Sequence, residues 1–206
     1  MLINLLLKSP LTFFMIAVPL LYSLVLHELA HAVVAYKFGD STARYSGRFT
    51  LNPLKHLDPI GTMMLLFFGF GWAKPVPVNY NNLTPRKMGI VCCSIAGVTV
   101  NFLIAFVSLV LFKLTGKLAL PDTIKLGFVI TAEINLILAS FNIIPIPPLD
   151  GSRVLAVLSP PSVQRLLHSI EQYGLIVIMI LLYLGFLDPV IRSIKHLLLS
   201  IISFFI

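Results

Sequence analysis

Hydrophobic residues run through this chain in long blocks, and the polar ones fall between them. A helix needs about 20 apolar residues to cross a bilayer core. Residues 11–36 reach that length, interrupted only by His27, Glu28 and His31. Residues 88–112 reach it without a charge, and residues 126–145 with one, Glu133. Two more blocks follow: 174–187, short but dense, and 190–206, with Arg192, Lys195 and His196 near its start. This pattern predicts an all-α polytopic membrane protein with about five transmembrane helices. Residues 60–72 are also apolar, but they are few and include three glycines, which predicts a re-entrant or interfacial segment.

The first block is far longer than the roughly 7–15 apolar residues of a signal peptide, so it reads as a retained span. Residues 1–9 are a short apolar lead-in, with Pro10 near the helix start. After this span the pattern changes. Residues 43–51 mix β-formers around Gly47 and predict a small β-hairpin. Residues 74–80 alternate valines with Pro75 and Pro77, which confines them to an edge strand or an extended loop. The whole of 1–206 reads as a single membrane-embedded domain, with a core over 11–158 and C-terminal helices over 172–206.

Composition sharpens this picture. Of 206 residues, 58% are hydrophobic and 11% charged, against roughly a quarter charged in soluble domains. Soluble, disordered and nucleic-acid-binding classes are excluded. The net charge of +7 comes from basic residues between apolar blocks, as in cytoplasmic loops facing anionic lipid. Cys92 and Cys93 are adjacent within an apolar block and suggest neither a disulfide framework nor a metal site.

The polar interruption of the first span carries the chemistry. His27-Glu28-Leu29-Ala30-His31 is His-Glu-x-x-His, which on a helix puts two histidines on one face, where both can hold a metal. The glutamate between them lies beside the metal-bound water as general base. Two packing histidines are the bland alternative, but three ionisable groups within five residues of a span each cost a few kcal/mol to insert. A catalytic zinc takes three protein ligands, and candidates for the third are Glu133, Asp150, His56, Asp58 and His168. Asp150 follows Pro145-Ile146-Pro147-Pro148 and precedes Gly151, a backbone that cannot stay helical and can present a carboxylate from an unwound segment. It could equally cap the next helix.

Topology separates these two readings. If 60–72 does not cross, the chain crosses three times before Asp150, which then meets His27 and His31 at one face. If 60–72 crosses, Asp150 is stranded on the other. With the first parity, Lys37, Arg44, Arg48, Lys55, Lys74, Arg86, Lys87, Arg153 and Arg165 share the metal's face. Lys8, Lys113, Lys117, Lys125, Arg192 and Lys195 lie opposite, a bias that puts the metal nearer the cytoplasm of a cell membrane. Glu133 lies near mid-membrane, too deep to share the metal, and reads as structural, hydrogen-bonded to neighbours such as Thr131 or Asn135.

These motifs, with Asn142-Ile143-Ile144-Pro145-Ile146-Pro147-Pro148-Leu149-Asp150-Gly151 as Asn-x-x-Pro-x-Pro-x-Leu-Asp-Gly, resemble the site-2 protease family of intramembrane zinc metalloproteases over roughly residues 20–155. Gly97-Val98-Thr99-Val100-Asn101 is similar to the family's Gly-Pro-x-x-Asn, with Val98 in place of proline. The resemblance implies one zinc per chain on His27, His31 and Asp150, water activated by Glu28, and substrate backbone held by Asn101 and Asn142. It also implies a minimal member without an inserted soluble domain, cleaving membrane proteins in or near a transmembrane segment. A substrate helix must unwind first, and residues 74–80 or the 43–51 hairpin could receive it by strand addition. The competing class is a non-catalytic zinc-containing membrane adaptor of the same fold, for which Glu28 has no chemical use. A metal transporter would need ligands along a path through several spans, and only Glu133 lies deep in a span away from the site.

Overall fold

Each of the three long helices begins at or directly after a proline, where a missing N–H costs the first turn nothing. In the computed structural model, which describes residues 2–69, 71–116 and 120–206, a short helix α1 (Leu2–Lys8) leads into α2 (Pro10–Lys37). A four-residue turn, α3 (Thr42–Tyr45), and α4 (Pro59–Phe68) follow before α5 (Arg86–Thr115) and α6 (Asp122–Ile143). The chain closes with α7 (Asp150–Leu158), α8 (Pro161–Glu171), α9 (Gly174–Tyr183) and α10 (Leu187–Phe205). At about 1.5 Å per residue, the 28, 30 and 22 residues of α2, α5 and α6 all exceed the roughly 30 Å of a bilayer core.

Helix α5 packs against both α2 and α6. Many of their buried residues are small: Ala32 and Ala35 on α2, Cys93, Ser94, Ala96 and Gly97 on α5, and Ala132, Ala139 and Ser140 on α6, with Ala35 packed against Cys93. Small side chains let backbones approach closely, which matters in lipid, where no hydrophobic effect pushes helices together. Larger apolar residues outside these seams, such as Leu103, Val107 and Ile137, are exposed, as expected of faces turned to acyl chains.

The C-terminal part departs from the sequence pattern. Among the described residues three helices are long and apolar enough to cross, or up to four if α8 and α9, bent by 77°, count as one span. The expected five are not found. Helix α9 has only 10 residues, and Gly185 breaks the chain at a φ of 73°, so 174–187 is too short to span alone. Helix α10 carries Asp188, Arg192 and Lys195, which takes it outside the composition of a membrane span. Its Ile202 packs on Ala105 and Leu136. Glu133 on α6 pairs with Lys195 on α10 at 2.5 Å, so its partner is this lysine and not Thr131 or Asn135.

The 43–51 hairpin is also replaced, by a helical turn and an irregular segment. Asp40 explains this. Its Oδ1 accepts from the backbone N–H of Thr42 at 3.2 Å and the Thr42 hydroxyl at 2.5 Å, bonds that favour a helical start over a strand. Gly47, at a φ of 65°, ends the turn.

Helix α4 has 10 residues, too few to cross a bilayer core. Asp58 caps α4 by accepting from Gly61 N–H at 2.8 Å, and Gly69 closes it in the left-handed conformation at a φ of 81°. The chain then doubles back so tightly that a Cβ on Gly71 would meet the backbone of Leu65 at 3.0 Å. Ala73 bridges to Leu57, and Lys74 N–H donates to the His56 carbonyl at 2.8 Å. Entry and exit are therefore side by side, as a re-entrant segment requires. Phe70 inside this segment, Met1, and Lys117 among the counted basic residues lie outside the described residues.

Lys55→Cys and Lys74→Cys should accordingly react with a membrane-impermeant maleimide from one face, and Thr123→Cys from the other. Labelling of 55 and 74 from opposite faces would contradict the re-entrant path.

Candidate metal centre

Four-residue spacing on α2 brings Ser23, His27 and His31 to one buried face. Opposite them on α5 sits Gly97, where a Cβ would stand 2.5 Å from His27 Nε2 and 2.6 Å from His31 Nε2. Only a glycine leaves both imidazoles room.

Both rings are fixed through Nδ1. His31 Nδ1 lies 2.7 Å from the Cys93 carbonyl oxygen, an acceptor only, so this nitrogen carries the proton. His27 Nδ1 lies 2.5 Å from Asn101 Oδ1. Asn101 in turn donates from Nδ2 to Asn135 Oδ1 at 2.8 Å, and Asn135 Nδ2 donates to Ser23 Oγ at 2.7 Å. This chain of amides joins α2, α5 and α6 and orients Asn101 with its oxygen toward His27. With Nδ1 committed in each ring, Nε2 is the nitrogen left to act as a ligand.

Asp150 meets these lone pairs. It is the first residue of α7, and its side chain caps nothing; the N-cap is Leu149. The close seat of α7 on the end of α6 needs Gly151, whose Cβ would stand 2.8 Å from the Ile144 carbonyl oxygen. Asp150 Oδ2 lies 3.2 Å from His27 Nε2 and 3.3 Å from His31 Nε2, yet this buried oxygen makes no hydrogen bond. Three lone-pair atoms thus converge with no donor among them, all within 4.8 Å of one another. Ligands about 2.0–2.1 Å from a tetrahedral ion lie roughly 3.3–3.4 Å apart, so the donor set and its spacing fit a zinc ion.

The other candidate ligands are engaged elsewhere. His56 is buried with Nε2 2.9 Å from the Thr50 carbonyl oxygen, and Asp58 caps α4. His168 pairs with Glu171 at 3.4 Å, and Glu133 pairs with Lys195.

Glu28 turns to the segment that returns from the re-entrant helix, where its Oε2 accepts from Val76 N–H at 2.7 Å. That segment is anchored by Asp40, a fully buried residue that the sequence pattern did not single out. Asp40 accepts from Asn79 N–H at 2.8 Å and Asn82 Nδ2 at 2.9 Å, besides Thr42. Asn101 is buried with both ends of its amide committed to His27 and Asn135, whereas half-buried Asn142 donates to the Leu138 carbonyl at 3.0 Å. The geometry of Asn101 is that of a residue orienting His27.

The model of peptidase family M50 matches residues 117–186. Three relatives carry the name "putative zinc metalloprotease": YwhC of Bacillus subtilis, Rip2 of Mycobacterium tuberculosis and MJ0611 of Methanocaldococcus jannaschii. YwhC is 45% identical over 81% of this chain and 78% of its own length. Rip2 is 31% identical over 88% and 70%, and MJ0611 34% identical over 64% and 63%. No solved structure matches. The chain belongs to peptidase family M50, the site-2 protease family.

Gly97→Ala and Asn101→Ala should each weaken zinc binding by about 10–100-fold, read by competition with a chromophoric chelator. Unchanged affinity in both would contradict the roles given to Gly97 and Asn101. Burial raises the Asp40 carboxyl, but its hydrogen bonds from Thr42, Asn82 and Asn79 hold it below the usual carboxylate range. A folded value below the unfolded one contributes stability that is complete above about pH 4 and lost as pH falls through the depressed value. Asp40→Asn should therefore flatten the acid side of a Tm–pH profile, and an unchanged acid side would remove Asp40 as its cause.

Proposed function

We propose that this chain is a zinc metallopeptidase of the membrane that hydrolyses peptide bonds within or beside transmembrane segments of membrane proteins. One observation carries this reading: two Nε2 lone pairs and an unpartnered carboxylate oxygen converge beside a glutamate whose own carboxylate is held by a backbone N–H. His27, His31 and Asp150 hold one zinc ion, which supplies Lewis acidity toward water and the scissile carbonyl. Asn101 positions His27 through its Nδ1–H and acts as a positioning residue.

Glu28 is the general base. The Val76 N–H fixes Oε2, which leaves Oε1 to take a proton from the attacking water and pass it to the leaving amine. A peptide bond inside a helix is shielded, so the substrate must first unwind, and an extended segment beside the base gives it a partner. Residues 74–80 suit this role by an unexpected route. Pro75 and Pro77 lack N–H groups, and those of Lys74, Val76 and Asn79 are already bonded. The carbonyls of residues 74–78 accept no hydrogen bond among the described residues, so they, with the one unbonded N–H of 74–79, that of Val78, are the groups with which a substrate strand pairs. Residues 43–51, with no strand, are set aside. The excess of basic residues on the metal's side supports a site nearer the cytoplasmic face.

The test is cleavage of single-span reporter proteins by the reconstituted chain. Glu28→Gln should lower the rate by about 10²–10⁴-fold with zinc retained; undiminished cleavage would overturn the reading. Val76→Pro, which removes the N–H on Glu28, should cut the rate at least about tenfold at constant zinc content, while Val76→Ala should not. Equal rates in the two variants would exclude this bond from positioning Glu28.

A further inference from the structure

Away from the three ligands, a cavity of about 470 Å³ opens between α7, α8, the start of α5 and Tyr80. Its charge is one-sided. Arg86, Arg153, Arg165 and His168 line it against a single carboxylate, Glu171. Glu171 is already engaged by Arg153 at 3.3 Å and His168 at 3.4 Å. Arg86 and Arg165 have no ion-pair or hydrogen-bond partner among the described residues, so the cavity presents two uncompensated guanidinium groups. The remaining wall is largely apolar, including Ile90, Ala156, Val157 and Leu167.

The depth of the cavity matters as much as its charge. Arg86 is the first residue of α5, a helix long enough to span. Helices α7 and α8 have 9 and 11 residues, too few to cross. On α8 the polar Gln164, Arg165 and His168 alternate with Leu166, Leu167 and Ile170, the pattern of a helix lying in the membrane interface. Guanidinium groups bind phosphate oxygens in bidentate fashion, and basic pockets between helices at this level accept anionic headgroups.

We propose that this cavity binds the phosphate-bearing headgroup of an anionic phospholipid. Free phosphate has the same anionic chemistry, but only the lipid also uses the apolar wall. The site is wired to the candidate metal centre without being part of it. Arg153 is one turn beyond Asp150, and its guanidinium carbon lies 5.0 Å from the ring centre of Tyr80. Tyr80 ends the segment whose Val76 N–H holds Glu28. A bound headgroup therefore touches both the helix that carries one ligand and the strap that holds the base.

The experiment titrates the full chain in nonionic detergent with dioctanoyl-phosphatidylglycerol, dioctanoyl-phosphatidylcholine and inorganic phosphate, followed by calorimetry. Phosphatidylglycerol should bind saturably and more tightly than the other two. Arg86→Gln/Arg165→Gln should weaken it about 25-fold, roughly fivefold for each arginine near a membrane surface, with zinc content unchanged. Lys113→Gln, at the other end of α5, should leave it intact. Equal binding of the two lipids, or a double variant that binds as the wild type does, would overturn the proposal. Inorganic phosphate binding as tightly as phosphatidylglycerol would overturn the lipid assignment. Because zinc content and lipid binding are read separately, this result does not depend on whether the chain proves to be a peptidase.

Discussion

A chain of buried hydrogen bonds from His27 through Asn101 and Asn135 to Ser23 sets the terms for everything around it. Inside a span no water can satisfy these groups, so each amide must find a partner on another helix. The network is satisfied only when α2, α5 and α6 meet in one register. It holds His27 with its proton on Nδ1 and its lone pair at Nε2. The same three helices place Gly97 beneath both imidazoles and the Cys93 carbonyl against His31. Helix packing and ligand geometry are thus one constraint. Small residues at the seams give the close approach, and the amide chain selects which close approach forms.

The second constraint is the fold-back of residues 60–72. Asp58 starts the re-entrant helix, Gly69 and Gly71 allow its tight return, and the Leu57–Ala73 bridge ties the ends together. Three helices before α7 are long and apolar enough to cross, an odd number, and Asp150 emerges beside the two histidines. It also delivers Val76 to Glu28, while Asp40 anchors the far end of the same strap. One apolar helix that turns back therefore serves both Asp150 and Glu28, the proposed third ligand and proposed base.

Much of this was legible in the sequence, and the reasons differ between elements. His27, Glu28 and His31 announce themselves because ionisable groups are costly in a span, and Asp150 because a proline-rich break precedes it. The re-entrant character of 60–72 follows from its short length and three glycines. Other features are tertiary. Asn135 and Ser23 are unremarkable as single polar residues in apolar helices; the signal was the four-residue spacing from Ser23 to His27 and His31. Asp40 looked like a loop residue, and its capture of Thr42 turned an expected hairpin into helix. Glu133 found a partner 62 positions away in Lys195, which local sequence cannot show. At the C-terminus, hydrophobic density predicted two spans that the described helices do not show singly, because Gly185 stops α9 early and α10 is two-faced.

The central claim is that two histidines of α2 and the aspartate opening α7 hold one metal ion between them. Metal content of the detergent-purified chain, measured beside Asp150→Ala, tests it most directly. The account predicts one zinc per chain in the wild type and its loss in the variant, with the helical content of both proteins alike. Zinc retained at full occupancy without Asp150, or a wild type that takes up none when zinc is supplied, would contradict it.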